Sequence, residues 1–180
     1  MDAAPLGNFT QNCRTPFNTS SGSAVSLTGS SQAIVPTGSC PWFASDWFYP
    51  GRLLYIRHTF QTTSAATPGA FVTPLMFGNN TNGNGQQIVT TALTWTANLT
   101  GVTGYTEYFV RCWVIGSSGS IFGYGSLFLG GVGILPINWS GNGGVTIDTT
   151  QSGYIAPQYY RTGSTAETIT HHDIVYKVMN

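Results

Sequence analysis

The sequence predicts an all-β protein, an antiparallel two-sheet jelly-roll sandwich with an extended N-terminal arm. Three observations lead there. Apolar residues alternate with period two in several windows, Gly, Asn, Pro and Ser interrupt the chain at short intervals, and no window carries an amphipathic helical pattern with caps. Eight or nine such strands without helices fit a two-sheet jelly roll before other β architectures, and the absence of an internal repeat disfavours a propeller or solenoid.

Residues 1–45 read as the arm, an N-terminal partner-anchoring segment, and 46–180 as the jelly-roll domain. The arm holds Pro, Ser, Thr, Gly and Asn with isolated apolar anchors, Phe9, Phe17, Val25, Leu27, Ile34 and Val35. Such a segment cannot form a core alone, so it is either flexible or laid across a partner surface. The stretch from Trp42 to Tyr49 then crowds five aromatics into eight positions, which closes one end of the core or is buried at a subunit contact. Trp42, Phe43, Trp47 and Phe48 join the six arm anchors as candidate partner contacts.

The strands follow in order. In Leu53–Gln61 the positions Leu54, Ile56, His58 and Phe60 form one face, opposite Arg57, Thr59 and Gln61. Phe71–Phe77 is a second strand, and Pro74 argues for an edge or a bulge there. Gly78–Gly85 is a loop by composition, and Gln86–Thr96 is strand-like. Tyr105–Ile115 sets Tyr108, Val110, Cys112 and Val114 against Glu107, Phe109, Arg111 and Trp113. Bulk on both faces suits a central strand whose outer face meets another surface. In Ser120–Leu129, Gly123 and Gly125 thin one face between Phe122, Tyr124 and Phe128. Residues 143–148, 154–161 and 167–179 complete the series.

Charge excludes several classes of function. The 180 residues (19.2 kDa) carry six basic and six acidic side chains, a net charge of zero and 7% charged residues, against about 25% in ordinary domains. There is no basic excess to neutralise phosphates and no polybasic run for an anionic membrane, so no nucleic acid and no membrane partner is expected. A near-neutral chain also lacks the repulsion that keeps monomers apart, so it is expected to live within an assembly. A chain of this length buries a core without disulfides or metal. Met1–Thr37 is polar and holds no secretory signal, so the chain reads as a complete product made in a cytoplasm, and the five Asn-x-Ser/Thr triplets at Asn8, Asn18, Asn79, Asn98 and Asn138 as accidental.

Catalytic chemistry finds little to use. Glu107 and Asp148 can approach across a sheet, but Asp148 before Thr149-Thr150 has the simpler role of bonding its own turn. In His171-His172-Asp173, adjacent strand residues point to opposite faces, so the two histidines do not chelate one ion in regular geometry. His171 and Asp173 share a face in a regular strand, and His58 can join them from a neighbour. Paired polar residues at a contact are the plainer account. Ser126 lacks a Gly-x-Ser-x-Gly setting. Cys13, Cys40 and Cys112 form no close pair: Cys112 reads as an inert buried thiol, and a Cys13–Cys40 bridge stays open. The chain is expected not to be an enzyme and to need no cofactor or metal.

From Arg52 to the end, the order of features resembles small jelly-roll domains in virion structural proteins of tailed bacteriophages, of the head decoration, head fibre and fibre-tip type. The matching pieces are Leu53–Phe60, Pro74–Gly78, Tyr108–Val114, the Gly-rich hairpin near Gly123–Gly133, Val145–Thr150, Ala166–Thr170 and Asp173–Val178. The resemblance implies a tumour-necrosis-factor-like homotrimer, anchored by its N-terminal segment to a major capsid protein or another virion protein. It implies a decoration or cement protein on the head surface of a virion, synthesised in the host cytoplasm. The alternative is a receptor- or glycan-binding tip that stacks sugars on aromatics such as Trp95, Tyr105, Trp139, Tyr154, Tyr159 and Tyr160.

Overall fold

The computed structural model describes residues 13–14, 23–30, 32–35, 40–79, 85–138, 144–163 and 166–179. Within them the chain forms strands and no helix: β1 (Cys13–Arg14), β2 (Val25–Ser26), β3 (Gln32–Ala33), β4 (Trp42–Phe43), β5 (Leu53–Thr63), β6 (Ala70–Val72), β7 (Leu75–Gly78), β8 (Gly85–Val89), β9 (Ala92–Thr94), β10 (Val102–Val114), β11 (Gly119–Leu129), β12 (Gly133–Ile137), β13 (Val145–Ile147), β14 (Gly153–Arg161) and β15 (Thr168–Met179). They build two antiparallel sheets, and the sandwich expected from the alternation is what the chain forms. The larger sheet runs β15–β5–β10–β11–β12, with β1 and β2 beside β15 and β13 beside β11. In the smaller sheet β14 is flanked on one side by β6 and β7, beyond which lie β9 and β8, and on the other by β3 and β4.

Alternation decides which face of each long strand is buried. Leu54, Ile56, His58 and Phe60 of β5 are all within 1% of full burial, as are Tyr108 and Val110 of β10. Val114 departs from this pattern. A register shift between Cys112 and Val114 turns it outward, where it is exposed together with Ile115. On β11, Gly125 lies so close to β10 that a Cβ there would meet the Glu107 carbonyl at 1.8 Å, and a Cβ on Gly123 would press on Val89 of β8 at 2.9 Å. Those two glycines are spaces left for the neighbouring strand and the facing sheet.

Pro74 sits neither at an edge nor in a bulge of its own. It lies between β6 and β7 in an inner row, and its carbonyl accepts the Gln158 N–H of β14 at 2.8 Å. Lacking an N–H, it cannot return the bond, so one rung of the ladder is lost and the strand divides there. Gln86–Thr96 likewise divides, into β8 and β9.

The described part of the N-terminal segment belongs to the sandwich. β2 pairs with β15, and β3 and β4 pair with β14. Leu27, Ile34, Val35, Cys40 and Phe43 are buried in the same core as β5 and β10. The apolar anchors meet a core that the later strands leave uncovered at one edge, so residue 45 marks no boundary in the packing. Trp47 and Phe48 continue this cluster, stacking edge-on against each other and, through Phe48, on Phe77. The aromatic run thus closes one end of the core. Arg52 caps it, with its guanidinium 4.6 Å from the Trp47 ring and 4.0 Å from that of Tyr49. Phe9 and Phe17 lie outside the described residues.

A buried ion pair ties this segment to both sheets. Arg161 Nε of β14 lies 3.3 Å from the fully buried Glu167 carboxylate and donates to the Leu27 carbonyl at 2.7 Å. The Leu27 N–H donates in turn to the Glu167 carbonyl, and Glu167 Oε1 accepts the Gly69 N–H. Removing Glu167 leaves the Arg161 guanidinium, 15% exposed, without its carboxylate and the Gly69 N–H without its acceptor. Glu167→Ala is therefore expected to cost about 1.5–3 kcal/mol in urea unfolding. Deleting residues 1–45 removes several core side chains worth about 1.5–3 kcal/mol each and is expected to abolish the cooperative transition, whereas deleting residues 1–22 keeps it; circular dichroism melts of the two truncations check this.

Candidate functional site

The outer face of the large sheet carries the densest group of partly exposed aromatics. Period two sends Tyr55 and Arg57 of β5, Tyr105, Glu107, Phe109, Arg111 and Trp113 of β10, and Phe122, Tyr124, Ser126 and Phe128 of β11 to this side. Register sets them in rows. Tyr105 lies opposite Phe128 and Phe109 opposite Tyr124, stacked at 5.1 and 5.2 Å between centroids, and Tyr55 leans on Phe109 at 5.2 Å. Cross-strand aromatic pairs of this kind stabilise a sheet by a few tenths to about 1 kcal/mol each. Trp113 (62% exposed) and Ile134 (66%) extend the apolar area at the end of β10 and on β12.

One polar row crosses the face. Glu107 accepts a 2.7 Å hydrogen bond from the Tyr55 hydroxyl and a longer one from Ser126, and it lies 3.7 Å from Arg57. The Arg57 guanidinium also covers the Tyr105 ring at 4.5 Å. Burial and the bond to Glu107 push the Tyr55 phenol up to about 12. The face therefore presents flat rings with its carboxylate already partnered.

Beneath this sheet runs a buried polar chain. Thr106 Oγ1 lies 2.9 Å from the Tyr159 hydroxyl, which lies 2.5 Å from His58 Nδ1; His58 Nε2 lies 2.9 Å from His171 Nδ1. Thr106, Tyr159 and His58 are fully buried. His58 and His171 thus meet as the sequence allowed, but Asp173 does not share their face. A register shift between His171 and Asp173 inserts an extra residue, so the inward set changes from Ile169 and His171 to Ile174 and Tyr176. Among the described residues no three His, Cys, Asp or Glu side chains gather to hold a metal ion. Tyr159 and Thr106 were not legible as partners of His58. The only signal was a histidine on an otherwise apolar strand face, which needs a hydrogen-bonding partner somewhere.

The remaining candidates separate. Asp148 accepts from the Thr150 N–H and hydroxyl and from Gln151, bonds that lower its carboxyl below the usual range; its partners are those of a turn, while Glu107 is held on the outer sheet face. Cys40 is a free buried thiol 3.4 Å from the Tyr176 hydroxyl, raised by burial to about 11, and Cys112 is free and buried too. Of the candidate partner contacts, Leu27, Ile34, Val35, Phe43, Trp47 and Phe48 are buried within the chain's own core, Val25 is half-buried, and Trp42 is 47% exposed. Of the aromatics considered for sugar stacking, Trp95 and Tyr159 are core residues, Tyr105 lies on the outer face, Tyr154 and Tyr160 are half-buried, and Trp139 lies outside the described residues.

No protein-family model and no curated protein matches this chain. Among solved structures, the metal-free form of lectin I-B4 from Griffonia simplicifolia is similar over 97% of each chain at 8% identity, with a TM-score of 0.41. A Lotus tetragonolobus seed lectin isoform is similar over 85% of this chain and 80% of its own, at 9% identity and a TM-score of 0.36.

The outer face separates stability from surface character. Tyr55→Phe removes a hydrogen bond to a carboxylate and is expected to cost about 1.5–3 kcal/mol in denaturant, while Trp113→Ser and Ile134→Ser, at well-exposed positions, stay within about 0.5 kcal/mol of the parent.

Proposed function

We propose that this protein is a structural component of a virion, a capsid decoration or cement protein that seats on the shell by the outer face of its large sheet. The carrying observation is that face: stacked aromatic rows around the internally partnered Glu107 carboxylate, with two well-exposed apolar side chains, Trp113 and Ile134, in a chain of zero net charge. Large apolar and aromatic area with few charges is what the centre of a permanent contact needs. The resemblance of residues 52–180 to phage virion jelly rolls supplies the kind of assembly and the trimer. The described N-terminal strands are spent on the sandwich, so the seat falls to the outer sheet face. The work is mechanical: a subunit touching several shell proteins raises the free energy of removing any one of them through multivalency.

One observation favours glycan binding as a second reading. Trp42 and Tyr154 stack edge-on at 4.8 Å beside β7, whose end joins the 148–152 turn in a cleft of about 390 Å³ lined by Asn79, Gln86, Asp148, Gln151 and Ser152. Amides and a carboxylate, with an exposed indole on the same sheet, are groups that grip a sugar.

Copy number separates the two. A decoration protein is present in hundreds of copies per particle and rebinds undecorated shells, and the double variant Trp113→Ser/Ile134→Ser loses that rebinding while remaining folded. A few copies per particle, with glycan-array binding abolished by Trp42→Ala, would replace it with the second reading.

A further inference from the structure

The buried histidines stand at an unusual place in the large sheet. On β15 the bulge at His171–Asp173 is flanked by the two N-terminal strands: β2 pairs with Thr168 and Ile169, and β1 pairs with Val175 and Tyr176. Between them, among the described residues, no strand pairs with that edge of β15. The bulge is held from the β5 side, where His171 faces Phe60, Asp173 faces Thr59 and Ile174 faces His58 itself. The His58–His171 contact therefore clasps β15 to β5 beside the bulge that interrupts their ladder.

We propose that the His58–His171 pair is an acid-sensitive latch. When both rings are neutral it holds β15, and with it β1 and β2, on the large sheet; when protonated it releases them. This inference stands apart from the proposed function and rests on the geometry of the pair.

Hydrogen-bond logic sets the latch. With both imidazoles neutral, protons can be arranged consistently in either direction along Thr106, Tyr159, His58 and His171, so each contact is satisfied. One added proton still leaves a donor and an acceptor at each contact, but places a positive charge between aromatic rings. His58 packs against Phe60 and Tyr159 at 5.5 and 5.2 Å. A second proton puts N–H against N–H at the 2.9 Å His58–His171 contact and breaks it. The titratable and charged groups facing the pair are few. From β15 they are His172 and Asp173, from β14 Tyr159, and from β10, behind Tyr159, Tyr108. Asp173 favours the charged form of His171, yet its Oδ1 and His172 Nε2 are buried without hydrogen-bond partners. Among the described residues no carboxylate is hydrogen-bonded to either ring, so the cation gains little against its desolvation.

Burial drives His58 well below its ordinary value, with His171 and His172 adding repulsion. His171 is also lowered by burial, against the pull of Asp173. Below about pH 6.5 the released or unfolded chain then binds more protons than the latched one. Stability is full above that pH and is lost as pH falls toward the depressed folded values, by up to about tenfold in the closing equilibrium per pH unit per histidine.

Hydrogen exchange read by mass spectrometry between pH 7.5 and 5, corrected for intrinsic rates, tests this on the full chain. In the parent, segments covering β2 and Thr168–Tyr176 are expected to lose protection by about tenfold or more, while β10 and β11 keep theirs. In His171→Gln the profile flattens by about one proton even though protection at pH 7.5 falls. Equal pH profiles in parent and variant would overturn the latch, as would loss of protection spread evenly over both sheets. If His58→Gln does not fold, imidazole NMR of the parent decides: His58 and His171 resonances titrating near pH 6.5 would also overturn it.

Discussion

Three tyrosine hydroxyls hold the two sheets at one spacing. Tyr108 of β10 donates to the Thr73 carbonyl, Tyr176 of β15 donates to the Ile155 carbonyl, and Tyr159 of β14 reaches back to His58 and Thr106. All three rings are buried in an otherwise dry core. A hydroxyl there must find a partner, so each ring can sit at only one depth and one register. Apolar side chains alone tolerate sliding between layers; fixed phenols do not. Burial raises the Tyr108 phenol to about 12 and the Tyr159 phenol well above its ordinary value, so these hydroxyls keep their protons at neutral pH.

That constraint explains the asymmetry between the two faces of the large sheet. The inner face spends its aromatic and polar groups on the opposing sheet. The outer face repeats the aromatic composition with no second layer over it among the described residues, and partners the Glu107 carboxylate internally through Tyr55, Arg57 and Ser126. A sheet dressed in this way suits contact with a flat, poorly hydrated neighbour. The small sheet offers a different surface, with amide side chains gathered at one end.

Much of this was legible in residue spacing. The buried face of β5, the two-sided bulk of β10 and the turn bonds of Asp148 follow from period two and from local hydrogen-bond chemistry. Three things did not. The phase changes at Cys112–Val114 and His171–Asp173 come from one extra residue opposite a partner strand, and nothing local marks them. The place of Pro74 depends on which neighbour its missing N–H would have faced. Leu27, Ile34, Val35 and Phe43 looked like anchors for another molecule because residues around them are polar. Their partners, β14 and β15, lie more than a hundred positions away, and spacing within a short window carries no information about that.

The pairing of the earliest strands with the latest has a bearing on biosynthesis. Val25 meets Ile169, Ala33 meets Gln158 and Phe43 meets Gly153, so a nascent chain carries these apolar residues without their sheet while more than a hundred further residues are translated. Contacts of such long sequence separation form slowly, and uncovered strand edges invite pairing between neighbouring chains. Expression at reduced temperature or with a holding chaperone follows as the practical remedy, since neither sheet can close before β14 and β15 have been made.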